Sequence, residues 1–495
     1  MIITTNSKFD TKDKNENLVH SKLVNLGYKY RLYPEQEQQN NLNHQMFVYN
    51  QSYNICLNLW NKESISNQKL DKKDKIYRKA VSYDKVIKRV LSIRKIKFST
   101  VVTQQARINF LKAVAKTFSK DVVSKRLNAI EKALTPKEKV KAYSLGFPKF
   151  KSSKDINQSF SWNNQGYQIK DHQNNKFKIF RLLKMNLKLR YHRDLPKNYK
   201  LCNITVSRDV SGYYVSFGIE FEKEIINPIN VHSSNFDVNN SIGIDLNAYN
   251  IAVSRPINKL ISSVGISNLN KIGLIDNGAT SRKGLKYNKK IKNLHKKQSR
   301  RSKLCMKQKT KHGVNYKKTQ KKINKLNNYI TNSKKDLYHK ISTSLTNTFD
   351  MIVVEDLKTK NMSKSSKGNE INHGKMVKQK TGLNRTILNA SFYQFVAMLQ
   401  YKQSMLNDKL LVKVNPAYTS QECSKCGCRD KLNRPKQHIF KCIGCGFETN
   451  PDIQASHNIL KKGVELLKIK SIGAGIALED SKLKAFRSET LVSAS

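Results

Sequence analysis

Between residues 28 and 33 apolar and polar side chains alternate, Tyr28-Lys-Tyr-Arg-Leu-Tyr33, and the run stops at Pro34. A period of two predicts a strand. From about 36 to 142 the spacing becomes helical, with Met46, Tyr49, Asn50 and Tyr53, and later Ile108, Leu111, Ala115 and Phe118, on helical faces. Pro136 interrupts this block. A turn-rich stretch from Gly146 to Phe150 leads back to short strands, including Ile204-Thr-Val206 and Tyr213-Tyr-Val-Ser-Phe217, paired around Gly212. The pattern predicts one β domain, 28–225, carrying a helical insert at about 36–142.

Residues 226–239, with Pro228 and a Ser-Ser-Asn run at 233, read as a linker. The texture then changes. Ser241-Ile-Gly-Ile-Asp245 is strand-like, and Asn250-Ile-Ala-Val-Ser254 is its candidate hairpin partner. A long Lys-rich helical pair follows at about 282–349, with Ile323, Leu326, Ile330, Leu337, Ile341 and Leu345 on one face. Met351-Ile-Val-Val354 and Leu410-Leu-Val-Lys-Val414 read as buried strands. The Lys-, Ser- and Gly-rich segment 359–384 reads as a loop that orders on nucleic acid. Residues 1–27 and 469–495 lack periodicity and read as mobile tails.

Charge narrows the function. The 495 residues carry 93 Lys+Arg against 36 Asp+Glu, a net +57, with 38% apolar residues. Such a chain can bury a core, yet its self-repulsion calls for a polyanion. Nucleic acid is therefore the expected partner, ahead of a membrane surface or acidic protein. No stretch reaches the roughly 18 apolar residues of a membrane span, and Met1 to Leu18 lacks the apolar core of a signal peptide.

Four of the eight cysteines form two Cys-x-x-Cys pairs, Cys423/Cys426 and Cys442/Cys445, fifteen residues apart. This spacing fits a closed, structural four-thiolate Zn²⁺ site in a reducing compartment. Gly427, Gly444 and Gly446 ease the turns, and Cys428 is a spare thiol. Lys425, Arg429, Lys431, Arg434, Lys436 and Lys441 around the knuckles suit phosphate.

Three carboxylates stand at the ends of apolar segments: Asp245, Glu355 and Asp452. Brought together, they form the hard oxygen donor set that Mg²⁺ requires for phosphodiester hydrolysis. Each has an ordinary alternative. Asp452 after Pro451 can be a helix cap, Glu355 a solvated strand end, and Asp245 a turn residue before Asn247. Phe147, Phe150, Phe160 and Trp162, interleaved with lysines, read first as barrel core and second as base-stacking residues.

Ser241-Ile-Gly-Ile-Asp-Leu-Asn247, Val353-Val-Glu-Asp-Leu-Lys358, Tyr418-Thr-Ser-Gln-Glu-Cys-Ser-Lys-Cys-Gly427 and Asp452-Ile-Gln-Ala-Ser-His-Asn-Ile459 resemble, in order, the RuvC-like motifs and zinc ribbon of the TnpB (OrfB) family. That insertion-sequence family is related to compact type V CRISPR effectors and Fanzor proteins. The resemblance spans about 28–468. It implies an α/β protein with an RNase H-like (RuvC) core over 240–418, a zinc ribbon at 419–448 and a last RuvC-like segment at 449–468. A wedge-like β-barrel with a helical recognition insert would precede the core. It implies an RNA-guided endonuclease acting on double-stranded and single-stranded DNA, with Asp245, Glu355 and Asp452 as the Mg²⁺-binding catalytic triad. Cys423, Cys426, Cys442 and Cys445 would be its zinc ligands. Gln454, Ala455 and Ser456 depart from the usual Asn and paired Ala of the third motif.

The rivals are a guide-free transposase with the same core, a nuclease-inactive RNA-guided regulator, and a zinc-ribbon binding protein without chemistry. Location follows the host: cytoplasmic or nucleoid-associated in a prokaryote, nuclear in a eukaryote.

Overall fold

The computed structural model describes residues 20–67, 80–153, 155–163, 165–196, 198–225, 240–248, 250–255, 269–270, 274–276, 282–310, 312–368, 372–406 and 409–473. The linker expected at 226–239 and the tail segments 1–19 and 474–495 lie outside these. The chain divides after Ile225 into two compact units.

The first unit begins with strand β1 (His20–Tyr33), so residues 20–27 belong to the sheet rather than to a tail. The reason is that Val24 and Leu26 are buried and extend the alternation of Tyr28, Tyr30 and Leu32 backwards. Helices α1 (Gln36–Asn67), α2 (Ala80–Ile93), α3 (Thr100–Thr117), α4 (Lys120–Glu131) and α5 (Pro136–Tyr143) follow as one insert. Leu42, Met46, Tyr49 and Tyr53 of α1 and Val102, Ala106 and Phe110 of α3 are buried, and the Tyr53 and Phe110 rings meet edge-on at 5.5 Å. Pro136, which breaks the helical pattern, opens a new helix at its first position. There Thr135 and Glu138 form a reciprocal capping box.

Strands β2 (Gln158–Trp162), β3 (Tyr167–Asp171), β4 (Phe177–Leu182), β5 (Met185–Arg190), β6 (Lys200–Asp209) and β7 (Gly212–Ile225) complete a seven-stranded sheet in the order β2-β6-β7-β1-β5-β4-β3. β1 pairs antiparallel with β7 from His20↔Ile225 to Leu32↔Tyr213. Phe160 and Trp162 are core, whereas Phe147 sits between Trp60 and the Arg126 guanidinium and Phe150 is exposed.

The second unit carries β8 (Ser241–Leu246), β9 (Asn250–Val253), β10 (Leu269–Asn270) and β11 (Leu274–Asp276), then the helical pair α6 (Arg282–Lys307) and α7 (Val314–Thr348). Strand β12 (Met351–Glu355), short helix α8 (Thr359–Met362), α9 (Val377–Ala390), α10 (Phe392–Gln403) and β13 (Leu410–Val414) come next. The expected loop 359–384 therefore holds α8 and the first half of α9. A small hairpin, β14 (Phe440–Lys441) and β15 (Glu448–Thr449), precedes the last helix, α11 (Pro451–Gly473). The strand order is β10-β11-β9-β8-β12-β13. β8 and β9 are antiparallel, and β8, β12 and β13 are parallel. Helices α7, α9 and α10 cover one face through Ile341, Leu345, Ile387, Phe395 and Leu399, and α11 packs on the other through Ile459. Among the described residues no helix is long and apolar enough to cross a membrane.

Candidate active site and thiol cluster

Val354 of β12 lies in register beside Ile244 of the parallel strand β8. The next residue on each strand, Glu355 and Asp245, therefore comes to the same sheet edge. Alternation then fixes the face. Ile242, Ile244, Ile352 and Val354 enter the larger core, while Met351 and Val353 join Ile459 on the opposite side. Gly243, Asp245 and Glu355 follow the second set. This is the carboxyl end of parallel strands, where open α/β sheets bind their ligands.

Helix α11 lies against that face at close range. A Cβ on Gly243 would strike the Ser456 carbonyl oxygen and stand 2.8 Å from the Leu460 nitrogen. A Cβ on Gly463 would collide with the Val353 side chain. Asp452 occupies the first turn of this helix. The cap is Asn450, whose Oδ1 accepts from the Asp452 and Ile453 nitrogens at 2.9 and 3.4 Å. The capping alternative for Asp452 is thus taken by its neighbour.

Asp245 and Glu355 are both buried, so the solvated-end alternative fails for Glu355. Burial, the Glu355 carboxylate and Asp452 push the Asp245 carboxyl up to about 7, against the Asn247 amide and Arg434. Asn247 Nδ2 donates to Asp245 at 2.9 Å. Burial raises Glu355 as well, opposed by Thr419 and Lys462, and the Thr419 hydroxyl donates to Glu355 Oε1 at 2.6 Å. A buried Asp245 that feels the charges of both Glu355 and Asp452, in a chain with this excess of cations, belongs to a donor set suited to a hard cation.

The four sulfurs of Cys423, Cys426, Cys442 and Cys445 lie within 4.8 Å of one another, a cluster able to hold a metal ion. Among the described residues it is the one such group gathered that tightly. The two knuckles repeat one geometry. Gly427 N donates to Cys423 O and Gly446 N to Cys442 O, each at 2.9 Å. Both glycines are left-handed, φ +74° and +70°. Gly444 is not; it gives room to Cys428, which lies outside the cluster. Burial would raise the Cys442 thiol, but the backbone N–H groups of Cys445 and Gly444 and the neighbouring Cys426 and Cys445 thiols lower it below the usual thiol range.

Side chains that carry no site role on sequence alone tie the two sites together. Gln454 is buried; its Nε2 donates to Glu422 O at 2.8 Å and its Oε1 accepts from Ser424 Oγ at 2.9 Å. Asn458 Nδ2 donates to both Thr419 O and Glu422 O. The departure from the third motif at Gln454 is thus a side chain bonded to the knuckle.

A family model described as "Probable transposase" matches residues 227–366, and one described as "Cas12f1-like, TNB domain" matches 392–459. A third, "Helix-turn-helix domain", matches 24–69, where the described residues form β1 and the single helix α1. The chain is 31% identical over 327 residues to the Escherichia coli (strain K12) protein named "Putative RNA-guided DNA endonuclease InsQ", covering 65% of this chain and 69% of that one. It is 34% identical over 160 residues to the "TnpB-like protein L79" of Acanthamoeba polyphaga mimivirus, covering 32% and 28%. It is 39% identical over 88 residues to "CRISPR-associated endodeoxyribonuclease Cas12f1" of Sulfoacidibacillus thermotolerans, covering 18% and 21%.

Proposed function

The chain belongs to the TnpB (OrfB) family, and on that premise we propose that it is an RNA-guided DNA endonuclease encoded by a transposable element. It hydrolyses phosphodiester bonds of double-stranded DNA, both strands in turn, at one RuvC-like site. The observation that carries this reading is the common sheet edge of Asp245 and Glu355 beneath the helix that carries Asp452 in its first turn. The mixed order β11-β9-β8-β12-β13 supports an RNase H-like core, and the antiparallel sheet of the first unit supports a wedge-like barrel.

Asp245, Glu355 and Asp452 would hold Mg²⁺, which when bound supplies an activated water and charge stabilisation at the leaving oxygen. No side chain acts as nucleophile. Asn247 and Thr419 fix the two buried carboxylates by hydrogen bonds. Arg434 and Lys462 set the charge balance beside them. Base pairing with a guide RNA selects the sequence, while basic faces hold the heteroduplex by its backbone.

The test is to express the gene with its native flanking DNA and sequence the RNA that co-purifies. One dominant structured RNA, ending in a segment that matches DNA beside the element, is expected, and the complex should cut a matched duplex. A random sample of cellular RNA sinks the guided reading.

The four cysteines hold structural Zn²⁺. Elemental analysis should give one zinc per chain. Cys426→Ser should lower that content and the unfolding temperature together, since structural zinc is worth on the order of 10 kcal/mol to small ribbons. A zinc content and melting curve unchanged from the parent would refute the assignment.

A further inference from the structure

Tyr418 has φ +65°, in the left-handed region that side chains rarely enter. Its carbonyl oxygen accepts from the Gln421 and Glu422 nitrogens at 3.0 and 3.2 Å, so a tight turn holds it there. The ring is not buried in return; the residue is 53% exposed. The Arg429 guanidinium carbon lies 4.7 Å from the ring centroid, and Glu422 anchors that guanidinium at 3.7 Å. The next residue, Thr419, is buried and donates its hydroxyl to Glu355. A strained backbone that holds an aromatic ring outward, one residue from a carboxylate's hydrogen-bond partner, is the kind of outlier that clusters at working sites.

We propose that the Tyr418 ring, backed by Arg429, is a stacking platform for an unpaired base of the DNA strand, seating it beside the phosphodiester presented to the carboxylates. The inference rests on the endonuclease reading and names how that site grips its substrate. Three features support it. A ring backed by a cation stacks any base, so it suits an enzyme whose sequence choice lies elsewhere. Among the described residues no second ring and no other cation lies against Tyr418. The knuckle that carries Arg429 is basic, with Lys425, Lys431 and Lys436 to hold the strand's phosphates. Tyr418 is a positioning residue: it holds the strand, and the carboxylates do the chemistry.

The experiment uses the full chain with its co-purified RNA and a duplex matched to that RNA, under single-turnover conditions with DNA below saturation. Tyr418→Gly removes the ring and also relieves the backbone, so it separates stacking from folding. It should cleave roughly tenfold more slowly, while Tyr418→Trp stays within about twofold of the parent. Abasic sites are then walked along the cut strand. At one position the missing base should slow the parent by a similar factor and add nothing to the Tyr418→Gly defect. Parental rates for Tyr418→Gly overturn the inference. So does a slow Tyr418→Gly that responds to every abasic site as the parent does, because the ring would then be only a latch between loop and knuckle. A parent complex that leaves the matched duplex whole overturns the endonuclease reading itself, and this inference with it.

Discussion

Asp245→Asn should cut a matched duplex on the order of 10³-fold more slowly than the parent. On the proposed reading it should keep its guide RNA and its affinity for DNA, because the substitution removes no Lys or Arg. In metal-free protein the same variant should be no less stable. The parent brings a buried carboxylate beside a second one at Glu355, and removing one of two like charges relieves a cost rather than adding one. The pairing of the two results is the diagnostic part. A structural Asp245 would lose stability on substitution, whereas a residue kept for chemistry loses rate alone. Cleavage kinetics and thermal unfolding read both, and undiminished cutting would remove Asp245 from the site.

Gly243→Ala should destabilise the second unit by about 3 kcal/mol, the upper end for overpacking. It should also lose cleavage. The two nearest obstructing atoms, the Ser456 carbonyl oxygen and the Leu460 nitrogen, are backbone, with the Leu460 Cβ beside them, so a Cβ there must push helix α11 away and Asp452 with it. Gly463→Ala tests the same interface from the other partner and should behave differently. Its obstacle is the Val353 side chain, so Val353→Ala should restore much of the stability lost in Gly463→Ala. No side-chain trimming should do so for Gly243→Ala. A double-mutant cycle by chemical denaturation measures the difference. A well-folded, active Gly243→Ala would mean that α11 is not held against β8 as closely as the geometry requires.

The parts of the site legible in the sequence were those encoded by local spacing. Two Cys-x-x-Cys pairs announce themselves without any fold, and an acidic residue closing an apolar run is visible at Asp245 and Glu355. What escaped was long-range. The Thr419 bond to Glu355 spans 64 positions, and periodicity carries no information at that separation. Gln454 stood out only as a departure from a motif; its bonds to Glu422 and Ser424 depend on where the knuckle returns. The left-handed Tyr418 was invisible because neither Gly nor Asn marks the turn. At the start of the chain the failure was of another kind. Val24 and Leu26 carried the strand signal, but Asn25 and Gly27, which alternate with them, resemble loop residues, and only pairing with β7 decides for strand.

Asn458 clasps Thr419 and Glu422 with one amide, and these two residues lead respectively to the acidic edge and to the first thiol. Coupling through such a clasp is mutual, since linkage has no preferred direction. Cations bound among the carboxylates should raise the affinity of the sulfurs for their ion, and loss of that ion should weaken cation binding by the same factor. A cell starved of zinc would then hold a complex that still carries its guide but has been disarmed.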